Sequence, residues 1–179
     1  CEADLKDAPR ARTAWVVAAG WLEPGPARNL VHALKYGGWR CAARPLAETL
    51  ARQCARVWCE VDVLVPVPLG RTRERERGHN QAAELAAALA RIVRLPVAAE
   101  ALVRRRETRT QTALAPLERR RNVAGAFAPG PREVRNRRVA LVDDVLTTGA
   151  TLGAAAQVLA AAGARSVGAV TFARALVPS

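Results

Sequence analysis

Aromatic side chains are scarce in this sequence: Phe, Trp and Tyr make up 4% of its 179 residues. A buried core therefore has to be assembled from small and branched aliphatic groups. Lysine is nearly missing, with only Lys6 and Lys35, so the positive charge is almost entirely guanidinium. No run of about twenty apolar residues occurs that would span a bilayer, and no membrane insertion is expected. The opening CEADLKDAPR lacks the charged start and apolar run of a secretory signal, which gives a cytoplasmic expectation. Cys1, Cys41, Cys54 and Cys59 form no C-x-x-C pair, and the lone C-x4-C from Cys54 to Cys59 is a weak metal signal. Free thiols are expected, with no protein metal site and no structural disulfide.

What is present is alanine, 39 residues of it, in a chain that is 50% hydrophobic. That composition excludes a disordered tail, and the length suits one ordinary domain. Basic residues outnumber acidic ones 28 to 16, a formal charge of +12 that attracts polyanions. Phosphorylated metabolites, nucleic acid and anionic membrane all fit that sign. Arginine suits forked recognition of phosphate, although an alanine- and arginine-rich composition also arises from nucleotide bias, so the placement of the charge has to decide.

Along the chain, AWVVAAGWL at Ala14 to Leu22 reads as a strand or hairpin arm and EPGP as the turn after it. Leu30, Ala33 and Leu34 make a helical stripe within Ala27 to Tyr36, and a second helix is expected over Pro45 to Val57. DVLVPVPL, Asp62 to Leu69, reads as a buried parallel strand running into a loop, and Arg71 to Gly78 as an intensely charged continuation of that loop. Gln81 to Val93 is a helix stopped by Leu95 and Pro96. A short strand over Ala101 to Arg104 precedes a long excursion, Arg105 to Gly125, of the kind that often covers a site. Arg138 to Val145, Ala150 to Ala162 and Ser166 to Ala173 read as strand, helix and strand in a right-handed parallel crossover. The expectation is α/β, with residues 1–60 an N-terminal hairpin and helices within the same compact unit and residues 61–179 the core.

The chemistry concentrates in VALVDDVLTTGATL, Val139 to Leu152. A hydrophobic strand ends in Asp143 and Asp144 and is followed by a turn into a helix, at the edge where open α/β sheets bind ligands. Backbone N–H groups and hydroxyls across Thr147, Thr148, Gly149, Ala150 and Thr151 suit a phosphate. Two carboxylates beside a phosphate need hydroxyls or a cation to face, and ribose hydroxyls meet that need. A sugar 5-phosphate is the expected ligand, with Mg²⁺ held mainly by its oxygens. The bland alternative has Asp143 capping the helix and the threonines filling a turn.

This motif resembles the type I phosphoribosyltransferases, whose signature for phosphoribosyl pyrophosphate (PRPP) is a strand, two acids and a T-G-x-T loop. LKYGG at Leu34 to Gly38, VPVPL at Val65 to Leu69, RGHNQA at Arg77 to Ala82, and Arg106, Thr108, Gln111, Leu114, Arg119, Asn122 and Gly125 to Phe127 are similar to the ComF family of competence-associated proteins. The resemblance implies a type I phosphoribosyltransferase-like parallel sheet flanked by helices, with an N-terminal hairpin and helix appendage and a long flexible loop. It implies ribose contacts from Asp143 and Asp144 and 5-phosphate contacts from Thr147 to Thr151. Pro66, Val67, Pro68 and Leu69 would form the pyrophosphate loop, with Arg73, Arg77 and Lys35 beside it. Arg106, Gln111, Arg119 and Asn122 would be the flexible loop's contacts to ligand or nucleic acid, or its braces. Alternatively Arg73 and Arg77 pair locally with Glu74 and Glu76 in a solvated turn. His79 is expected to pack beneath the loop, and His32 to be structural.

The sequence also departs from the family. Thr147 stands where many nucleobase-salvage enzymes carry an acidic base, so no catalytic residue is assigned and the acceptor stays open. The family usually begins with a four-cysteine zinc ribbon. No C-x-x-C follows Cys1, so no structural zinc is expected in the chain as given. Two functions follow as expectations. One is Mg²⁺-dependent phosphoribosyl transfer from PRPP to an unidentified acceptor. The other is single-stranded DNA binding within the competence machinery by the arginine-rich segments, with PRPP as a regulatory or vestigial ligand. Because Trp15, Trp21, Trp39, Trp58 and Tyr36 all lie in the first third, a stacking platform for DNA has to be built there.

Overall fold

Runs of valine, alanine and leucine pair into a four-stranded parallel sheet in the computed structural model, which describes residues 14–23, 25–36, 40–107 and 122–175. Its strands are β1 (Val16–Trp21), β2 (Val63–Pro66), β5 (Arg138–Leu146) and β6 (Ser166–Arg174), in the order β1-β6-β5-β2. Two short strands, β3 (Leu102–Arg104) and β4 (Phe127–Pro129), form a separate antiparallel ribbon. Five α-helices are described: α1 (Pro26–Tyr36), α2 (Ala43–Gln53), α3 (Arg71–Arg77), α4 (Gln81–Val93) and α5 (Ala150–Ala161).

The sheet is apolar on both faces because helices cover both. Along β5 the side chains alternate: Ala140 and Val142 join Leu46, Leu50, Leu85 and Leu89 of α2 and α4 on one side. Val139 and Leu141 join Leu152, Ala155, Ala156 and Leu159 of α5 on the other, together with Leu102 and Phe127 of the ribbon. Alanine lets α5 approach the sheet closely. Glycine does the same at Gly168 of β6, where a Cβ would overlap the indole of Trp15.

Several expectations change at this level. Ala14 to Leu22 is not a hairpin appendage: β1 pairs parallel with β6, Val16 opposite Ala169 and Trp21 opposite Arg174, and so forms an edge of the main sheet. The charged loop after Gly70 is the helix α3. Arg and Glu are good helix formers, Glu74 lies in its first turn, and Gly78 ends it at φ +73° with its N–H on the Glu74 carbonyl. No residue of α3 is buried, so the apolar periodicity that would have announced it is missing. The helix expected to Val57 stops at Gln53 and continues as a 3-10 turn, Ala55–Glu60. Within the long excursion, 108–121 lie outside the described residues, while β4 beyond it is a strand hidden behind Gly125 and Pro129.

Candidate functional site

All four sheet strands run the same way, so β2, β5, β6 and β1 end at one edge. The acidic pair stands there. Asp144 is 7% exposed, and its Oδ2 lies 3.0 Å from Lys35 Nζ at the end of α1. Asp143 is half-buried, and its Oδ1 accepts the Asp144 N–H at 2.8 Å. Burial and the neighbouring Asp144 charge push the Asp143 carboxyl well above the usual carboxylate range. Hydroxyl groups or a cation arriving here would relieve that crowding.

The turn after β5 enters α5 through Gly149, whose φ of +73° is a left-handed conformation that favours glycine. Thr147, Thr148 and Thr151 are half-buried around it, and Ala150 is buried as the first residue of α5. The Thr148 hydroxyl oxygen is buried with no hydrogen-bond partner among the described residues. An orphaned hydroxyl in a turn that opens a twelve-residue helix fits an anionic oxygen as its missing partner.

The second lobe of the site is the loop after β2. The Val67 N–H bonds the Val142 carbonyl at 3.0 Å, which ties the loop to β5. The Asn80 side chain donates to the Val67 carbonyl at 3.1 Å while its Oδ1 accepts the Ala82 N–H, so one residue both caps α4 and holds the loop. Arg77 donates to Gln81 Oε1 at 3.0 Å, and Arg73 is half-buried on the same short helix. His79 packs beneath, 7% exposed, with its ring nitrogens 2.8 Å from the Arg77 and Leu34 carbonyls, which matches the packing role expected of it. His32 is exposed on α1.

Two residues that the sequence reading did not single out stand against this loop. Arg104, at the end of β3, donates to the Pro68 carbonyl at 3.4 Å and stacks 5.3 Å from the Phe127 ring centroid. Burial, and then the Arg73 charge, lower its pKa, and the Glu107 and then the Asp143 charges counter them. Glu107 accepts the Thr72 N–H at 3.1 Å, and a Cβ on Gly70 would overlap its carboxylate. The signal for Arg104 was period two: Leu102 is buried, so Arg104 shares its face, while the arginine run itself distinguishes no member. Glu107 carried no such signal.

Of the residues expected on the long loop, Arg106 donates to the carbonyls of Asn122 and Ala124 at 2.8 Å, and so braces the two ends of the excursion. Gln111 and Arg119 lie outside the described residues. Lys35, expected beside the pyrophosphate loop, is engaged by Asp144. Among the described residues no group of three or more His, Cys, Asp or Glu side chains is placed to hold a metal ion. Cys54 is buried, which pushes its thiol up to about 11 and leaves it inert, while Cys41 and Cys59 are exposed free thiols.

Comparison with known proteins shows which family the chain resembles. Residues 46–177 match the phosphoribosyl transferase domain. Competence protein F of Haemophilus influenzae is 39% identical over 108 residues, covering 59% of this chain and 47% of that protein. DNA utilization protein YhgH of Escherichia coli O157:H7 is 35% identical over 148 residues, covering 79% of this chain and 64% of that protein. The chain thus spans about half to two thirds of the length of these curated relatives. A solved purine phosphoribosyltransferase from Pyrococcus horikoshii Ot3 overlays with a TM-score of 0.47 at 18% identity, covering 76% of this chain and 73% of that one. The domain match runs from α2 to beyond β6 and takes in both the acidic pair and the loop after β2, so the chain belongs to the phosphoribosyltransferase domain family and, within it, to the ComF family.

Proposed function

We propose that this chain binds PRPP across the carboxyl edge of its sheet and transfers the phosphoribosyl group to an acceptor, in a protein that serves DNA uptake. The observation that carries the reading is the Asp143–Asp144 pair leading into a turn whose Thr148 hydroxyl is buried and unsatisfied among the described residues. The acids accept from the ribose 2- and 3-hydroxyls, and Thr147 to Thr151 hold the 5-phosphate. The diphosphate lies along Pro66 to Leu69, with Arg73, Arg77 and Arg104 beside it. Mg²⁺, when bound through the ligand's own oxygens, neutralises diphosphate charge.

In the transfer the bond from ribose C1 to the diphosphate oxygen breaks, the electron pair leaves with diphosphate, and the acceptor's lone pair forms the new bond to C1. Charge grows on the departing oxygens, and preorganised guanidinium groups lower the barrier by meeting it. The DNA-uptake setting is supported by the names of the relatives, one a competence protein and the other a DNA utilization protein. The exposed arginines of α3, Arg71 and Arg75, supply a phosphate-attracting surface for such a role.

Calorimetric titration of PRPP with Mg²⁺ into the wild type and Asp144→Asn tests the reading, with ribose 5-phosphate as comparison. The expected result is binding that favours PRPP over ribose 5-phosphate and weakens at least about tenfold in the variant, the loss of a charge-assisted hydrogen bond. Absence of PRPP binding to the wild type overturns it.

A further inference from the structure

Trp21 and Ile92 are the large hydrophobic side chains left exposed among the described residues, and Trp21, at 50%, has a built setting. It is the last residue of β1 and the register partner of Arg174, the last residue of β6. The Arg174 guanidinium lies over its ring, 5.4 Å from the centroid. The Leu22 N–H bonds the Arg174 carbonyl at 2.8 Å, and the Ala175 N–H bonds the Leu146 carbonyl at 2.8 Å, so the pair is tied by backbone to the end of β5. Arg174 is in turn the register partner of Leu146, two residues beyond Asp144. At roughly 4.8 Å per strand, the indole's strand stands only about 10 Å across the sheet from the strand that carries the acids.

From this placement we infer that Trp21 and Arg174 form a stacking platform for a nucleobase at the rim of the phosphoribosyl site. An indole with a cation already over it presents a flat, positively biased surface. That surface repels a cationic ligand and suits an electron-rich planar ring attached to phosphate. The approach is open, since half of the Trp21 surface faces solvent. The same chemistry has two sources, a free base or nucleoside awaiting transfer and a base within single-stranded DNA. The first rests on the proposed PRPP site, and the second does not.

Trp21→Ala, Trp21→Phe and Arg174→Ala separate these sources by calorimetry. The first arm titrates adenine and uracil, and their nucleosides, into the PRPP-loaded protein, and the second titrates oligothymidylate and oligodeoxyadenylate into the protein without PRPP. In at least one arm, Trp21→Ala should weaken binding about five- to hundredfold and Trp21→Phe should keep most of it, as stacking on one base requires. Loss confined to the first arm assigns the platform to the acceptor, and loss confined to the second assigns it to a strand. PRPP affinity and melting temperature should be unchanged in all three variants, so a failed PRPP site would be visible separately. Wild-type binding in neither arm, or binding indifferent to Trp21→Ala in both, overturns the inference.

Discussion

The Glu107 carboxylate accepts the Thr72 backbone N–H at 3.1 Å, and so rests against the loop from Pro66 to Gly70 where a diphosphate is proposed to lie. A carboxylate at that place repels an incoming anion and satisfies the same donor. Glu107→Gln keeps the shape and removes the charge. It should tighten pyrophosphate binding about fivefold at low salt, the size of one unit-charge repulsion at contact distance in water. Isothermal titration with pyrophosphate measures it, and equal or weaker affinity in the variant would count against a competing role for Glu107.

Lys35 is the counter-charge of Asp144, a carboxylate that is 7% exposed. Its removal leaves a buried anion beside Asp143. Lys35→Met should therefore lower stability by about 1–2 kcal/mol, less than for a fully buried pair because Lys35 keeps part of its side chain in solvent. Adding Asp144→Asn should restore most of the loss, since the orphaned charge is then gone. Thermal melts of the two single variants and the double variant close the cycle; additive losses would show that the two groups do not depend on each other.

Asp143 has its pKa raised to about 7, first by burial and then by Asp144. A carboxyl raised on folding holds a proton that the unfolded chain has released, so its contribution is fully present at acid pH and is lost as pH rises through the folded value. Asp143→Asn has no charge to bury. The variant should melt close to the wild type near pH 4 and above it at pH 8, by a margin of about 1 kcal/mol or more, one pKa unit being about 1.4 kcal/mol. A constant difference across that range would remove Asp143 as the source.

The β5–α5–β6 unit and its acidic pair were legible in the sequence because a buried parallel strand is a continuous apolar run and Gly149 marks the turn. Helix α4 was legible to the residue because Asn80 caps it and alanine and leucine fill it. α3 was not, since a helix built of arginine, glutamate and threonine alone has no apolar stripe to betray it. Nor could β1 be distinguished from a hairpin arm: an edge strand reads the same in either setting, and only its pairing with β6 decides. The places of Arg104 and Glu107 depend on a ribbon, β3 with β4, whose halves are far apart in sequence. Local pattern cannot report a contact closed over that distance.

Gly168 gives a test of how closely the sheet is packed. It sits third in β6, between Ala140 of β5 and the start of β1, and the Trp15 indole covers it so closely that a Cβ would overlap the ring. Gly168→Ala must push the indole aside or shift the strand, an overpacking cost of about 1–3 kcal/mol. For a chain of this size each kcal/mol lowers the melting temperature by about 2–4 °C. Trp15→Leu in the same chain opens room for the methyl group, so the double variant should recover part of the loss that Gly168→Ala causes. PRPP affinity should be unaffected, because Gly168 lies in the first half of β6, opposite Ala140, while the acids stand on β5 opposite its second half, Asp143 against Thr171. A Gly168→Ala protein as stable as the wild type would mean that Trp15 does not rest on this strand.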